Sequence, residues 1–181
     1  MATQAKIRMM PSGRQGGGAA MVTVAPQKTS ATFEVGDPVK LSAGTLVAAS
    51  TTASLGTSSN LTAPAAASAN LILGISGIDA ASGNTTSTVV HRMAPGARFI
   101  GNLVHGTASS AKATAANLGS VVYIAKQTAS DVAYGFTLDT AGSFGATFIN
   151  GRITQLIDAA STVNGRVEVE FTGGGTYLGT I

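Results

Sequence analysis

The stretch Val35-Gly36-Asp37-Pro38-Val39-Lys40-Leu41 decides how the chain reads. Gly36 and Pro38 punctuate a turn, and Val39 and Leu41 alternate with Lys40, the period of a strand with one wet face. Leu118-Gly119-Ser120-Val121-Val122-Tyr123-Ile124 repeats the shape, with Gly119 standing for Gly36, Val122 for Val39 and Ile124 for Leu41. Ile78-Asp79-Ala80-Ala81-Ser82 recurs as Ile157-Asp158-Ala159-Ala160-Ser161, and each copy precedes a Gly-containing turn and another strand. These duplications predict two related β-units in tandem, near residues 33–93 and 118–171.

Outward from that repeat, the short apolar runs are all strand-sized. Met21 to Ala25 is a strand candidate that Pro26 stops, and Gly44-Thr45-Leu46-Val47 is the return arm of a hairpin from Val39 to Leu41. Leu71 to Ile75, Thr85 to Met93 and Tyr134 to Leu138 read as further strands, and so does Ala146 to Ile149. Arg98 to Val104 is a strand interrupted by Gly101, where a bulge is expected. Asn150-Gly151 is a hairpin turn pair by its dipeptide. Arg166 to Phe171 alternates apolar and charged residues, which predicts one buried and one solvated face. Residues 50–70, with Pro64 among Ser, Thr and Asn, are expected to be an extended loop. Ala113 to Asn117 has room for one helical turn. The expectation is an all-β barrel or sandwich of short antiparallel strands with very little helix.

The 181 residues suit one domain or two small ones, long enough to bury about 70% of the surface of the unfolded chain. There is no Cys, which excludes disulfides and thiolate metal sites. Charged residues are 10% of the chain, against about 25% in an average domain, and none occurs between Leu41 and Ile78. A surface so poor in charge suits packing against something. Lys6, Arg8, Arg14 and Lys28 all precede the first acid, Glu34, so the net charge of +3 belongs to the N-terminal part. Residues 1–28 are therefore expected to be a basic, flexible arm hinged at Gly13 to Gly18, with 29–181 as the β-rich body. No apolar run reaches the ~18 residues of a membrane span, and no secretory signal is visible, so no membrane contact is expected. The acceptor patterns at Asn60 and Asn84 are then chance matches.

His91 and His105 are the only histidines, too few for a zinc site without Cys. Asp79, Asp139 and Asp158 sit in turn sequences, where Asp caps backbone N–H groups. No phosphate loop and no nucleophile elbow occurs. Three Tyr and six Phe are too scattered for a base-stacking platform, so no direct nucleic-acid contact is expected. Neither enzymatic activity nor a cofactor is expected.

Phe33 to Leu41, Ile72-Leu73-Gly74-Ile75 and Ala94-Pro95-Gly96-Ala97-Arg98-Phe99 resemble, in style and order, the decoration (cement) proteins of tailed-bacteriophage capsids. The Cys-free, Ala/Gly/Ser/Thr-rich β-body with a basic arm is similar to them too. The resemblance implies a virion structural protein, made in the host cytoplasm, that bridges major capsid protein subunits on the outer capsid surface as a homotrimer. It implies an arm lying across neighbouring capsid proteins, here Lys6, Ile7, Arg8, Met9, Met10 and Arg14. Tail-tube or head-fibre proteins share the style, and a carbohydrate-binding β-module for host attachment is the remaining alternative.

Overall fold

The computed structural model describes residues 7–12, 22–49, 51–53, 61–64, 72–83, 85–127, 133–138 and 150–171. Its strands are β1 (Met10–Pro11), β2 (Val22–Pro26), β3 (Pro38–Ser42), β4 (Thr45–Ala48), β5 (Thr51–Ala53), β6 (Thr62–Pro64), β7 (Ile72–Ser76) and β8 (Ser87–Arg92), then β9 (Arg98–Asn102), β10 (Val121–Ala125), β11 (Gly135–Leu138), β12 (Asn150–Leu156) and β13 (Arg166–Phe171). The described residues contain no α-helix, only short 3-10 turns at Ala108–Ser110 and Ala115–Asn117. The fold is all-β: antiparallel sheets of six and five strands that do not close into a barrel, consistent with a sandwich.

The tandem repeat holds at the level of strand order and of particular pairs. The five-stranded sheet runs β2-β8-β7-β3-β4, and five strands of the other run β9-β13-β12-β10-β11. Each unit thus has the same order, first-fifth-fourth-second-third. Val39 pairs with Gly74 as Val122 pairs with Gly151. Gly36 N–H donates to Ser76 O as Gly119 N–H donates to Ile153 O, both at 2.8 Å. In each unit the chain just past the first strand meets the third by one isolated parallel bridge, Gln27 to Leu46 and Leu103 to Phe136. Lys28 N–H and Val104 N–H then donate to Leu46 O and Phe136 O. The units begin at β2 and β9, earlier than the 33 and 118 read from sequence. Those first strands carry no copy of the recognisable Gly-led segment.

Bending the sheet enough for that bridge needs a strand without a side chain at the bend. A Cβ on Gly74 would lie 2.1 Å from His91 O, and one on Gly151 would lie 2.3 Å from Val169 Cγ1 and 2.9 Å from Glu170 O. Asn150-Gly151 is therefore not a hairpin turn. It opens β12, and Gly151 is required for close approach. Gly101 is not a bulge either, since β9 keeps continuous register with β13. The second positions of the repeat diverge: Val39 and Val122 are buried, but Leu41 ends at the hairpin, 43% exposed, while Ile124 is buried.

The two units share one core. Ile72, Ile75, Ala49 and Met93 of the first pack with Phe99, Leu103, Tyr123, Phe136, Val167 and Phe171 of the second. A smaller cluster of Phe33, Val39, Leu46 and Val90 fills the first unit. The expected loop at 50–70 includes a two-stranded ladder, β5 on β6. Leu61 beside it is buried against Val104 and Ala125 of the second unit, so part of the uncharged stretch is covered within the chain. Ala146 to Ile149 and Asp139 lie outside the described residues.

The β3–β4 hairpin turns on Ala43 (φ 48) and Gly44 (φ 79), the two positive φ values of a type I′ turn. An L-residue without a locally bonding side chain costs roughly 1–2 kcal/mol there. Ala43→Asn is expected to raise stability by roughly 0.5–1 kcal/mol, and Gly74→Ala to lower it by about 3 kcal/mol through overpacking. Urea titrations of both variants check this pair of opposite signs.

Candidate functional site

Residues 7–12 carry four of the six positions expected to meet a capsid, and they form a strap on the body. Ile7 N–H donates to Asn102 Oδ1 at 2.5 Å. Met10 and Pro11 pair with Ile100 and Phe99, which makes β1 the edge of the six-stranded sheet. Ser12 N–H donates to Arg98 O at 2.8 Å. Bonded pairs alternate along an antiparallel ladder, so Pro11 falls at the position whose N–H points away from β9. Its missing donor costs nothing there and blunts the outer edge.

Met9 is the centre of the strap. It is 2% exposed and belongs to the shared core. Two glycines make its slot. A Cβ on Gly36 would lie 2.8 Å from Arg8 Cβ and 2.9 Å from Met9 O, and a Cβ on Gly101 would lie 3.1 Å from Met9 Cγ. Gly36 belongs to the first unit and Gly101 to the second, so Met9 touches both, the first through its backbone and the second through its side chain. Gly119, the twin of Gly36, has nothing within 4 Å of a Cβ, and its φ of +80° alone calls for glycine.

Polar contacts hold the strap's ends. Arg8 pairs with Glu34 and donates to Val35 O at 3.2 Å. The pair is exposed enough to contribute only about 0–1 kcal/mol. Glu168 is different, since it is 2% exposed. Its Oε2 accepts from Ser12 Oγ at 2.5 Å and its Oε1 from Thr154 Oγ1 at 2.9 Å, with Arg98 Nη1 at 3.5 Å. Arg98 also pairs with Glu170 at 2.6 Å. The charged face expected on β13 is thus partly interior: Glu168 lies under the strap with its oxygens satisfied, as a buried carboxylate requires.

The expectation of a free arm therefore fails for residues 7–12 and 22–28, which belong to the body. Met9 is not available to a groove on a capsid, because the core of this fold offers it a slot. Met10 remains 45% exposed. Lys6 and Arg14 lie outside the described residues.

The duplicated Asp residues are structural, but not in the same way. Asp79 Oδ1 accepts from Val35 N–H at 2.7 Å. Asp158 takes Arg166 in a fork, with Nη2 at 2.6 Å and Nε at 3.0 Å, and accepts from the Arg166 N–H at 2.8 Å. The Arg166 side chain, ahead of burial, holds the Asp158 carboxyl below its usual range. Asp37 goes the other way: burial raises it, against the Glu34 N–H and the charges of Lys126 and Arg8. Lys126 Nζ sits 4.5 Å over the Tyr134 ring, whose hydroxyl burial pushes up. Burial lowers His91, and His105 Nδ1 accepts from Thr107 N–H at 2.9 Å. No group of three His, Asp or Glu able to hold a metal occurs among the described residues.

The two units differ in one cross-strand row. In the second, Arg98, Glu170 and Arg152 stand side by side on β9, β13 and β12. The same row in the first is Val22, His91 and Ile75. Ile75 is fully buried in the shared core, while Arg152 is exposed and donates to Gly119 O. The two units therefore do not contribute equivalent positions to the shared core at this row. Val22 and Val24, at the far end of the apolar face, are 50% and 61% exposed. No protein-family model and no curated protein matches the chain.

Met9→Ala is expected to cost about 2–5 kcal/mol of unfolding free energy, read by urea denaturation, against less than about 1 kcal/mol for Glu34→Gln. Asp158 has a folded pKa below its unfolded one, so its stabilisation is present above the usual carboxylate value of about 3.9 and is lost as pH falls through the folded value. Asp158→Asn is then expected to lower the Tm at neutral pH, with the gap to the unaltered chain closing in acid. Thermal scans of both proteins between pH 7 and pH 2 check it.

Proposed function

We propose that this chain is a virion structural protein that decorates the outer surface of a tailed-phage capsid and bridges major capsid protein subunits. The observation that carries this reading is a duplicated exposed apolar side chain on a charge-poor body. Val35 and Leu118 immediately precede the paired turns at Gly36 and Gly119, and they are 36% and 49% exposed. One chain thus offers two like knobs at equivalent places of two like units. A capsid lattice offers repeated, identical subunits to such a pair. Once one knob is seated the second contact is intramolecular, which multiplies affinity without new chemistry. A protein that binds only the expanded lattice stabilises that state by mass action. The resemblance of Phe33 to Leu41 and of Ala94 to Phe99 to decoration proteins points the same way and supports a homotrimer as the assembly.

The strap changes how the N-terminus enters this reading. Residues 7–12 are spent on the body, so the capsid contact of the arm falls to residues 1–6, with Lys6, and to Arg14. The test is co-sedimentation with expanded tailed-phage capsids over a salt series. Val35→Glu and Leu118→Glu are each expected to weaken binding, and the double variant to weaken it far more than either alone. Removal of residues 1–6 is expected to flatten the salt dependence while leaving the thermal transition in place. Undiminished binding by the double variant would sink the reading. So would filaments or stacked rings formed by the protein alone, which belong to a tube protein.

A further inference from the structure

We propose that the strap is exchanged between copies of this chain: residues 7–12 of one copy seat in the β9 groove of another. Among the described residues the strap meets Glu34, Val35 and Gly36 on the first unit, and Arg98 to Asn102 and Glu168 on the second. None of these contacts requires the strap and groove to belong to one chain. The connection from Ser12 to β2 is residues 13–21, nine residues of which four are glycine. Extended, it spans about 30 Å, enough to enter a neighbour's groove while holding the two copies close.

Closed and exchanged forms make the same strap contacts, so the choice rests on what else the exchanged form buries. The connection ends at Val22, on the face where Val22, Val24 and His91 are exposed or half-buried. The matching row of the second unit is the Arg98–Glu170–Arg152 ladder. One fold therefore carries the same row twice, with Arg98 on the first strand of one unit and the exposed Val22 on the first strand of the other. An apolar edge strand left to solvent is a liability that a native protein covers. A neighbour tethered through nine residues at that strand is placed to cover it, and exchange of an identical element is a low-cost route to a closed assembly. A strand added to the outside of β1 is a poorer fit, because Pro11 removes the outward N–H.

The chain has no Cys, so the test is direct. Met10 and Ile100 face each other across β1 and β9, and neither is fully buried. Met10→Cys and Ile100→Cys single variants are refolded together and oxidised. The expected product is a disulfide-linked heterodimer, whose yield rises with protein concentration and falls severalfold when Val24→Glu is added to both chains. A Met10→Cys/Ile100→Cys double variant that closes only within one chain, with no heterodimer from the mixed singles, would overturn the proposal. Light scattering of the unaltered chain is the second arm. A monomer mass at all concentrations overturns exchange, and an oligomer that Val24→Glu returns to monomer supports it. Neither arm involves a capsid, so its outcome is independent of the function proposed above.

Discussion

The constraint on which the structure depends is the bend at the fourth strand of each unit. A five-stranded antiparallel sheet can bring its third strand back to its first only if it coils sharply. Gly74 and Gly151 make that possible, because a single methyl at either would overlap the backbone or side chains of the next strand. The bend delivers Leu46 to Gln27 and Phe136 to Leu103. It also creates the concave faces that Val39, Val90 and Leu46 fill in one unit and Val122, Val169 and Phe136 in the other. A chain of short strands with few charges has little else to orient it, so steric necessity at two glycines organises much of the rest.

Duplication then supplies stability and asymmetry at once. Two units of this size would each have a marginal core. A shared core merges their apolar surfaces through Ile75 and Met93, and Met9 adds a contact to both. That packing buries Ile75 of the first unit and leaves its counterpart in the second, Arg152, exposed. The row Val22–His91–Ile75 and the row Arg98–Glu170–Arg152 have accordingly diverged, although their backbones pair identically. Burial of a carboxylate at Glu168 follows from the same geometry: the strap closes over β13, and Ser12, Thr154 and Arg98 supply the donors that water would have supplied.

The sequence by itself determined the all-β class, the tandem repeat and most strands. Each rests on local signals: period-2 alternation at Val39 to Leu41 and at Arg166 to Phe171, Gly-led turns, and the recurrence of Ile-Asp-Ala-Ala-Ser. Only the tertiary structure decided what those signals serve. Asn150-Gly151 reads as a turn because its dipeptide favours one, and it opens a strand because Phe171 and Val122 flank Gly151 on both sides. Asp79 and Asp158 sit in identical pentapeptides yet serve different partners, the Val35 N–H in one case and the Arg166 N–H and guanidinium in the other. Lys6 to Met10 reads as a free basic arm, because alternating charges and apolar residues beside a Gly-rich run carry no sign of a slot between Gly36 and Gly101. That slot is made by residues 65 positions apart in the chain. A local pattern records which residues can be buried; which surface buries them is a property of long-range packing, and no window of sequence contains it.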